Sequence, residues 1–198
     1  MDVIRIQGPG RLEGTVHASG AKNAALPILA STILAKGPCV LKNVPQVSDV
    51  SNMVRILKSL GAKVSWNERA LTIDSTPINR NVADYRHVST MRASICLLGP
   101  LLSKFGEARV SLPGGCVIGP RPVDLHLKGL QALGGKVALD HGYVVVSSKG
   151  LRGGRVYLGG SFGSSVLATA NVIMAAVLAR GRTEIINAAC EPEVTHWG

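Results

Sequence analysis

The feature that most constrains the fold of this chain is an internal repeat with a period of about 70 residues. Segment 50–64 carries apolar residues at its first, fifth, eighth and eleventh positions and then Gly-Ala-Lys-Val, and segment 123–137 repeats the spacing 73 positions later. This spacing lines one face of a helix, and the glycine after the last apolar residue favours a left-handed helix end. An alternating segment follows each copy, at 71–74 and 143–147, so each copy predicts helix, strand, turn, strand.

A second repeated element alternates with the first and consists of helical stretches that are apolar on nearly every side. These stretches are 28–36, 94–104 and 166–180, and each ends near a glycine that precedes a strand-like segment. Helices without a polar face are buried, and units that each contribute one need their neighbours to cover it. We therefore expect an α/β protein built of repeated units of helices and small sheets. We expect two complete units and a third, truncated one that begins at about Leu151.

Composition narrows the functional classes. Hydrophobic residues make up 46 % of the 198-residue chain, which excludes intrinsic disorder, and no run of eighteen apolar residues predicts a membrane-spanning helix. The net charge is +10, but the basic residues are scattered and only seven aromatic residues accompany them. This pattern predicts no nucleic-acid partner and leaves phosphorylated small molecules as ligands. Cysteines without paired spacing and the lack of a secretory signal predict a cytoplasmic protein with no membrane partner.

The first candidate site is segment 19–27, Ser-Gly-Ala-Lys-Asn-Ala-Ala-Leu-Pro, which leads into the first apolar helix. Pro27 is typical of a first helical turn, so we expect the helix to begin within one or two residues of Asn23. Lys22 and Asn23 would then lie beside free backbone N–H groups at the positive end of the helix dipole. That arrangement suits a phosphate or a carboxylate. The alternative interpretation is a solvated lysine near a helix start.

The second candidate site is segment 112–126, Leu-Pro-Gly-Gly-Cys-Val-Ile-Gly-Pro-Arg-Pro-Val-Asp-Leu-His. Its glycines permit unusual backbone paths, and its prolines stiffen both sides of Arg121. Cys116 lies five residues before that cation, and a nearby cation favours the thiolate, so this thiol is a candidate proton donor or nucleophile. A packed, inert cysteine is the alternative here, and it is the interpretation we adopt for Cys39, Cys96 and Cys190.

The remaining polar residues give weaker signals. Arg92 stands at the start of the second apolar helix, either on the surface or reaching a ligand in the same cleft. The glycine-rich segment 159–165 is a weak candidate for holding a phosphate. The sequence contains no dinucleotide fingerprint and no P-loop, so we predict no cofactor. The histidines lack metal-ligand spacing and are interpreted as structural, which predicts no metal site; they are His17, His87, His126, His141 and His196.

Together these segments resemble a known family. Segments 19–27, 91–95 (Met-Arg-Ala-Ser-Ile), 113–126 and 191–193 (Glu-Pro-Glu) are similar to those of the UDP-N-acetylglucosamine 1-carboxyvinyltransferases, a branch of the enolpyruvyl transferases. The related 5-enolpyruvylshikimate 3-phosphate synthases share the fold but lack the cysteine loop. The resemblance implies an inside-out α/β barrel, in which each of two domains has three units around an inner helix bundle. Residues 1–20 would form strands that pack with the second domain, 21–194 the first domain with an incomplete third unit, and 195–198 a divergent tail.

The resemblance also implies an activity and its residues. The family transfers the enolpyruvyl group of phosphoenolpyruvate to the 3-hydroxyl of UDP-N-acetylglucosamine, releasing phosphate, in peptidoglycan synthesis. Cys116 would be the proton donor, the thiol that adds to phosphoenolpyruvate and the target of fosfomycin. Lys22 and Arg121 would hold the phosphate and carboxylate of phosphoenolpyruvate, and Asn23 would hydrogen-bond the reacting groups. The nucleotide-sugar site would be lined by Arg92, Arg121, Pro122, Val123, Asp124 and Leu125.

The sequence departs from the family pattern in two places that matter for function. Segment 163–167 lacks the lysine that many members carry in their nucleotide-binding loop. The resemblance covers only the first domain, and in the family the second, C-terminal domain supplies the aspartate that takes the hydroxyl proton. We therefore expect a fragment that is inactive alone, with a noncatalytic nucleotide-sugar-binding module as the alternative.

Overall fold

The repeat in the sequence is a repeat of structure. The computed structural model describes residues 3–67, 70–88, 91–112, 123–161 and 163–196. The first unit consists of α1 (Lys22–Ser31), a 3₁₀ helix (Thr32–Leu34), β1 (Cys39–Lys42), α2 (Ser48–Leu60), β2 (Lys63–Trp66) and β3 (Ala70–Asp74). The second consists of β4 (Val82–Ala83), α3 (Tyr85–Val88), a 3₁₀ helix (Arg92–Leu97), α4 (Leu98–Phe105), β5 (Glu107–Ser111), α5 (Asp124–Ala132), β6 (Lys136–Asp140) and β7 (Tyr143–Ser147). The third consists of β8 (Arg155–Tyr157), α6 (Val166–Ala176), β9 (Glu184–Ile186) and a 3₁₀ helix (Pro192–His196).

The sheets repeat in order and in register. The first sheet has the order β1-β3-β2, and the second has the equivalent order β5-β7-β6, with antiparallel pairing throughout these strands. Lys63 lies opposite Asp74 in the first sheet, and Lys136 lies opposite Ser147 in the second, the same displacement of 73 positions on both strands. The short strand β4 adds to β5 in parallel, as β8 adds to β9 in the third unit. The predicted helix, strand, turn, strand order is therefore confirmed in both copies.

Glycines end α2 and α4 as the sequence predicts, whereas α6 ends at Ala176 and the first helical stretch at Leu34, before the glycines expected there. Gly61 follows α2 with a φ of +116°, and its N–H donates to the carbonyls of Leu57 and Lys58. Gly106 follows α4 with a φ of +74°, and its N–H donates to the carbonyl of Leu102. A residue with a side chain would be strained at both positions.

The apolar helices are buried, as expected, and α6 lies between α4 and α5. Gly99 of α4 approaches α6 so closely that a Cβ there would be 2.3 Å from the backbone oxygen of Asn171. A Cβ on Gly129 of α5 would be 2.2 Å from a methyl carbon of Val172. Small residues at these two points bring the three helices together beside the segments that carry the candidate site.

Several elements differ from the sequence-based expectations. Helix α1 begins at Lys22, so Pro27 occupies its second turn instead of its first and has no N–H to donate to the carbonyl of Asn23. The last predicted helix ends at Ala176, four residues before Arg180. The sequence did not predict β4, α3 or β8, which are only two to four residues long and show no periodicity of their own.

The N-terminal segment 3–20 forms no helix or strand, and residues 3–19 are all exposed. The expectation that residues 1–20 form strands with a second domain therefore stays a prediction. None of the helices in the described parts of the chain is long and apolar enough to cross a membrane.

Candidate functional site

The start of α1 is held in place by a backbone contact. Gly20 passes so close to the loop before α2 that a Cβ on it would lie 2.0 Å from the carbonyl oxygen of Asn43. Ala21 then occupies the N-cap position in an extended conformation and has no side-chain group to cap the helix. The first N–H groups of α1 therefore remain available to an external acceptor beside Lys22 and Asn23.

Lys22 forms an ion pair that the sequence analysis missed. Its Nζ lies 2.8 Å from Oδ2 of Asp49, in the first turn of α2. The Lys22 side chain is 48 % exposed and that of Asp49 is 28 % exposed, so the pair borders solvent. The N-cap residue of α2, Val47, also has no polar side chain, so this ion pair joins the starts of two helices that both lack a capping side chain. An anion that binds here must share Lys22 with Asp49 or displace it.

Arg92 occupies the expected place in the chain. It is the first residue of the 3₁₀ helix Arg92–Leu97, which follows Met91 in an extended conformation and runs directly into α4. This 3₁₀ helix packs against both α1 and α6. The backbone that carries Arg92 is therefore part of the buried helical centre.

Three candidate residues lie at the start of α5. Val123 is its N-cap, Asp124 is exposed in its first turn, and Leu125 is buried. The preceding segment 113–122 lies outside the described residues and includes three of the predicted site residues. The roles expected of these residues stay predictions; they are Cys116, Arg121 and Pro122.

The glycine-rich loop is in contact with the start of α5. A Cβ on Gly160 would lie 3.4 Å from both terminal methyl carbons of Leu125. Gly160 and Gly163 each donate their N–H to the other's carbonyl, at 3.0 Å, so the loop closes on itself. Ser165 then caps α6 by accepting from the N–H of Ala168 at 3.3 Å. The loop, the start of α5 and the start of α6 thus meet at one place.

A buried polar cluster lies directly behind this meeting point. The side-chain amide of Asn171 in α6 contacts the carbonyl of Ile95, the N–H of Gly99 and Nδ1 of His126. Burial lowers the pKa of His126 to about 4, so its ring is neutral at pH 7 and Nδ1 accepts from the amide. The interpretation of His126 as structural missed this connection, because a single histidine in a helix gives no sign of its distant partner.

The described cysteines differ in exposure. Cys96 is fully buried, and burial raises the pKa of its thiol to about 12, which makes it inert. Cys39 is half-buried. Cys190 is exposed, so the expectation that it packs was wrong: it lies past the end of β9, where the strand-like alternation no longer applies. Among the described residues, no group of three or more His, Cys, Asp or Glu is arranged to hold a metal ion.

Comparison with known proteins relates this architecture to a family. Residues 6–197 match the family described as EPSP synthase (3-phosphoshikimate 1-carboxyvinyltransferase). Curated relatives named UDP-N-acetylglucosamine 1-carboxyvinyltransferase are 52 % identical in Desulfosudis oleivorans and 48 % identical in Campylobacter fetus subsp. fetus, each over 195 residues. These alignments cover 98 % of this chain and 46 % of each relative, so the chain spans about half the length of the curated relatives it matches.

Solved structures show the same fold. The enolpyruvyl transferase NikO from Streptomyces tendae superposes with a TM-score of 0.80 at 21 % identity, covering 96 % of this chain and 44 % of that one. EPSP synthase from Acinetobacter baumannii superposes with a TM-score of 0.65 at 15 % identity, covering 92 % and 42 %. The predicted α/β fold of repeated units is thereby confirmed. Both the sequence match and the shared fold lead to one conclusion: the chain belongs to the EPSP synthase family of enolpyruvyl transferases.

Proposed function

We propose that this chain is the N-terminal part of a UDP-N-acetylglucosamine 1-carboxyvinyltransferase that acts in peptidoglycan precursor synthesis in the cytoplasm. The observation that carries the proposal is the 52 % identity to a relative of that name over 98 % of the chain. Its substrates are phosphoenolpyruvate and UDP-N-acetylglucosamine. Both are anionic, in keeping with the net charge of +10.

The proposed reaction is an addition followed by an elimination. The 3-hydroxyl oxygen of the sugar forms a bond to C2 of phosphoenolpyruvate, its proton passes to a base, and C3 takes a proton from the Cys116 thiol. In the elimination a proton leaves C3 for the Cys116 thiolate formed in the first step, and inorganic phosphate leaves C2, which restores the carbon–carbon double bond. Such a sequence requires a general acid that protonates C3 and a general base that takes the hydroxyl proton.

The start of α1 is the proposed site for phosphoenolpyruvate, together with Arg121. Support comes from the free N–H groups of the first turn, the positive end of the helix dipole, and the ammonium group of Lys22. Asn23 follows directly and is assigned to hydrogen-bond the reacting groups. Asp49 holds the lysine in position until the substrate arrives, and the substrate anion then competes for the same cation.

The nucleotide sugar is assigned to the place where the 3₁₀ helix that begins at Arg92, the start of α5 and the glycine-rich loop converge. Support comes from the contact of Leu125 with Gly160 and from the shared hydrogen bonds of Asn171 behind them. These contacts bring segments far apart in sequence to one place. The residues assigned to this ligand are Arg92, Arg121, Pro122, Val123, Asp124 and Leu125.

The proposal is tested by supplying the rest of a relative. Residues 1–198 and the C-terminal remainder of the Desulfosudis oleivorans relative are purified separately, mixed with both substrates, and assayed for phosphate release. We expect phosphate only in the mixture, because the chain covers 46 % of that relative and the hydroxyl base is assigned to the remainder. Cys116→Ala should abolish release, and the matched control Cys190→Ala should leave it unchanged. A mixture whose two parts associate but release no phosphate would contradict the proposal.

Covalent labelling tests the assignment of Cys116 directly. Incubation of the active mixture with fosfomycin and UDP-N-acetylglucosamine should add one equivalent of the drug to the peptide that contains Cys116, as read by mass spectrometry. An adduct on Cys190 alone would reject this assignment. Binding of UDP-N-acetylglucosamine without turnover in any mixture would instead favour the noncatalytic module.

A further inference from the structure

We infer that Asn171 is a positioning residue whose buried amide couples the segment that begins at Arg92 to the start of α5, so that both sides of the nucleotide-sugar site are held as one body. The assignment of a ligand to these segments rests on the proposed function. The coupling itself rests on hydrogen bonds among described residues and can be measured without any ligand.

The first half of the coupling is a pair of hydrogen bonds from the side-chain amide of Asn171 to the backbone where the 3₁₀ helix meets α4. Nδ2 of Asn171 donates to the carbonyl of Ile95 at 3.0 Å, and Oδ1 accepts from the N–H of Gly99 at 2.6 Å. These two backbone groups are four residues apart and would bond to each other in a regular α-helix. They lie where the 3₁₀ helix meets α4, so the side chain of Asn171 bridges the two backbone groups at that junction, where the carbonyl of Ile95 also accepts from the N–H of Leu98.

The second half of the coupling reaches α5. The same Nδ2 lies 3.0 Å from Nδ1 of His126, and the Asn171 side chain is fully buried. An amide nitrogen carries two hydrogens, so one serves Ile95 and the other serves His126. His126 directly follows Leu125, whose side chain packs on Gly160 of the glycine-rich loop. A shift at Ile95 is therefore transmitted to the start of α5 through one rigid planar group.

Steric fit restricts what can stand at this position. A Cβ on Gly99 would lie 2.7 Å from Oδ1 of Asn171, and Gly129 lets α5 approach the next residue, Val172. α4 and α5 therefore pack closely against α6 on both sides of Asn171, so a side chain larger than asparagine does not fit at position 171. Aspartate has the right shape but lacks both donors, and leucine lacks donors and acceptor alike.

Hydrogen–deuterium exchange of the 198-residue chain tests the coupling. Asn171→Asp should raise exchange about tenfold or more in peptides covering 92–99 and 123–130 together, while peptides in β1 and β3 stay protected. A control, Thr32→Val, removes a buried hydroxyl contact with Ser75 at 3.3 Å in the first unit and should leave both peptides unchanged. Faster exchange in only one of the two peptides, or equally across the whole chain, overturns the inference.

A second pair of variants keeps the test decisive if Asn171→Asp does not fold. His126→Leu removes the acceptor in α5, and exchange should rise in 92–99 as well as in 123–130, although His126 is not part of the first segment. His126→Asn offers an oxygen in place of Nδ1 and should restore protection in both. If 92–99 is unaffected by His126→Leu, the two segments are not coupled through Asn171.

Calorimetry with UDP-N-acetylglucosamine, on the mixture with the relative's C-terminal remainder, separates this inference from the proposed function. Asn171→Asp should weaken binding about tenfold, and Thr32→Val should not. A wild-type mixture that does not bind the nucleotide sugar counts against the proposed function, and the exchange data still decide the coupling. Wild-type affinity retained in Asn171→Asp shows that the residue does not position the ligand site, and overturns the inference.

Discussion

At the scale of single residues, the arrangement of most chemical interest is a cation that already has a partner. Lys22 would be an obvious anion site from sequence, yet its ammonium group lies 2.8 Å from the carboxylate of Asp49. A half-exposed pair of this kind contributes at most about 1 kcal/mol to stability, because water screens it. Its larger effect is on ligands, since the carboxylate both places the lysine and repels any incoming anion.

Asp49→Asn should therefore separate stability from binding. We expect the free energy of unfolding to change by less than about 1 kcal/mol. Affinity for inorganic phosphate should rise several-fold, because Lys22 and two helix starts then face the anion without a competing charge. Titration calorimetry on the 198-residue chain measures this, with Asp84→Asn in the second unit as a control of equal charge change. Weaker phosphate binding in Asp49→Asn would mean that placement of the lysine outweighs repulsion.

His126 provides the second prediction at this scale. Burial lowers its pKa from 6.5 to about 4 in the folded chain, so protonation favours the unfolded state. The stability that depends on a neutral ring is complete above pH 6.5 and is lost as the pH falls towards 4, by roughly 3 kcal/mol in all. Urea unfolding between pH 7.5 and 4 should show this decline in the wild type and a shallower one in His126→Asn. Equal slopes in the two proteins would show that the ring is not buried neutral.

At the scale of secondary-structure elements, hydrophobic periodicity predicted the helices and strands with a regular local spacing, and it did not predict the short strands. The amphipathic helices α2 and α5 and the strands after them follow from local spacing, and the glycine at Gly61 marks a helix end as expected. The strands β4 and β8 are two and three residues long. Each forms by parallel pairing with a later strand of the same unit, β5 and β9 respectively. Pairing with a distant segment gives so short a strand no hydrophobic periodicity of its own in the sequence. The ion pair of Asp49 and the hydrogen bond between Asn171 and His126 were not predicted for the same reason, since the partners lie far apart in the sequence.

Gly20 tests whether an element boundary depends on a backbone contact. Gly20→Ala would place a Cβ 2.0 Å from the carbonyl oxygen of Asn43, which is backbone and cannot move aside easily. We expect a loss of about 1–3 kcal/mol in the free energy of unfolding and weaker phosphate binding, because the start of α1 must shift. Gly37→Ala is the matched control, since nothing lies within 4 Å of a Cβ there. Urea denaturation and phosphate titration give both readouts, and equal behaviour of the two variants would contradict the prediction.

At the scale of the whole molecule, the three units share one hydrophobic core that includes residues of α1, α4 and α6. The segment before α1 has no part in that core. Its apolar side chains are almost fully exposed, among them Val3 at 86 %, Ile6 at 88 % and Leu12 at 96 %. Exposed apolar residues within one short segment favour burial against a partner, and the resemblance predicts that residues 1–20 pack with a second domain.

Limited proteolysis should reveal that partner. Trypsin should cleave the 198-residue chain first after Arg5 and Arg11, because both lie in exposed backbone without secondary structure, while Lys58 in α2 resists. Adding the C-terminal remainder of the Desulfosudis oleivorans relative should slow cleavage at both arginines and leave the rate at Lys58 unchanged. Mass spectrometry of timed digests identifies each site. Unprotected arginines in a mixture that releases phosphate would show that the segment packs elsewhere, and the predicted boundary at residue 20 would then be wrong.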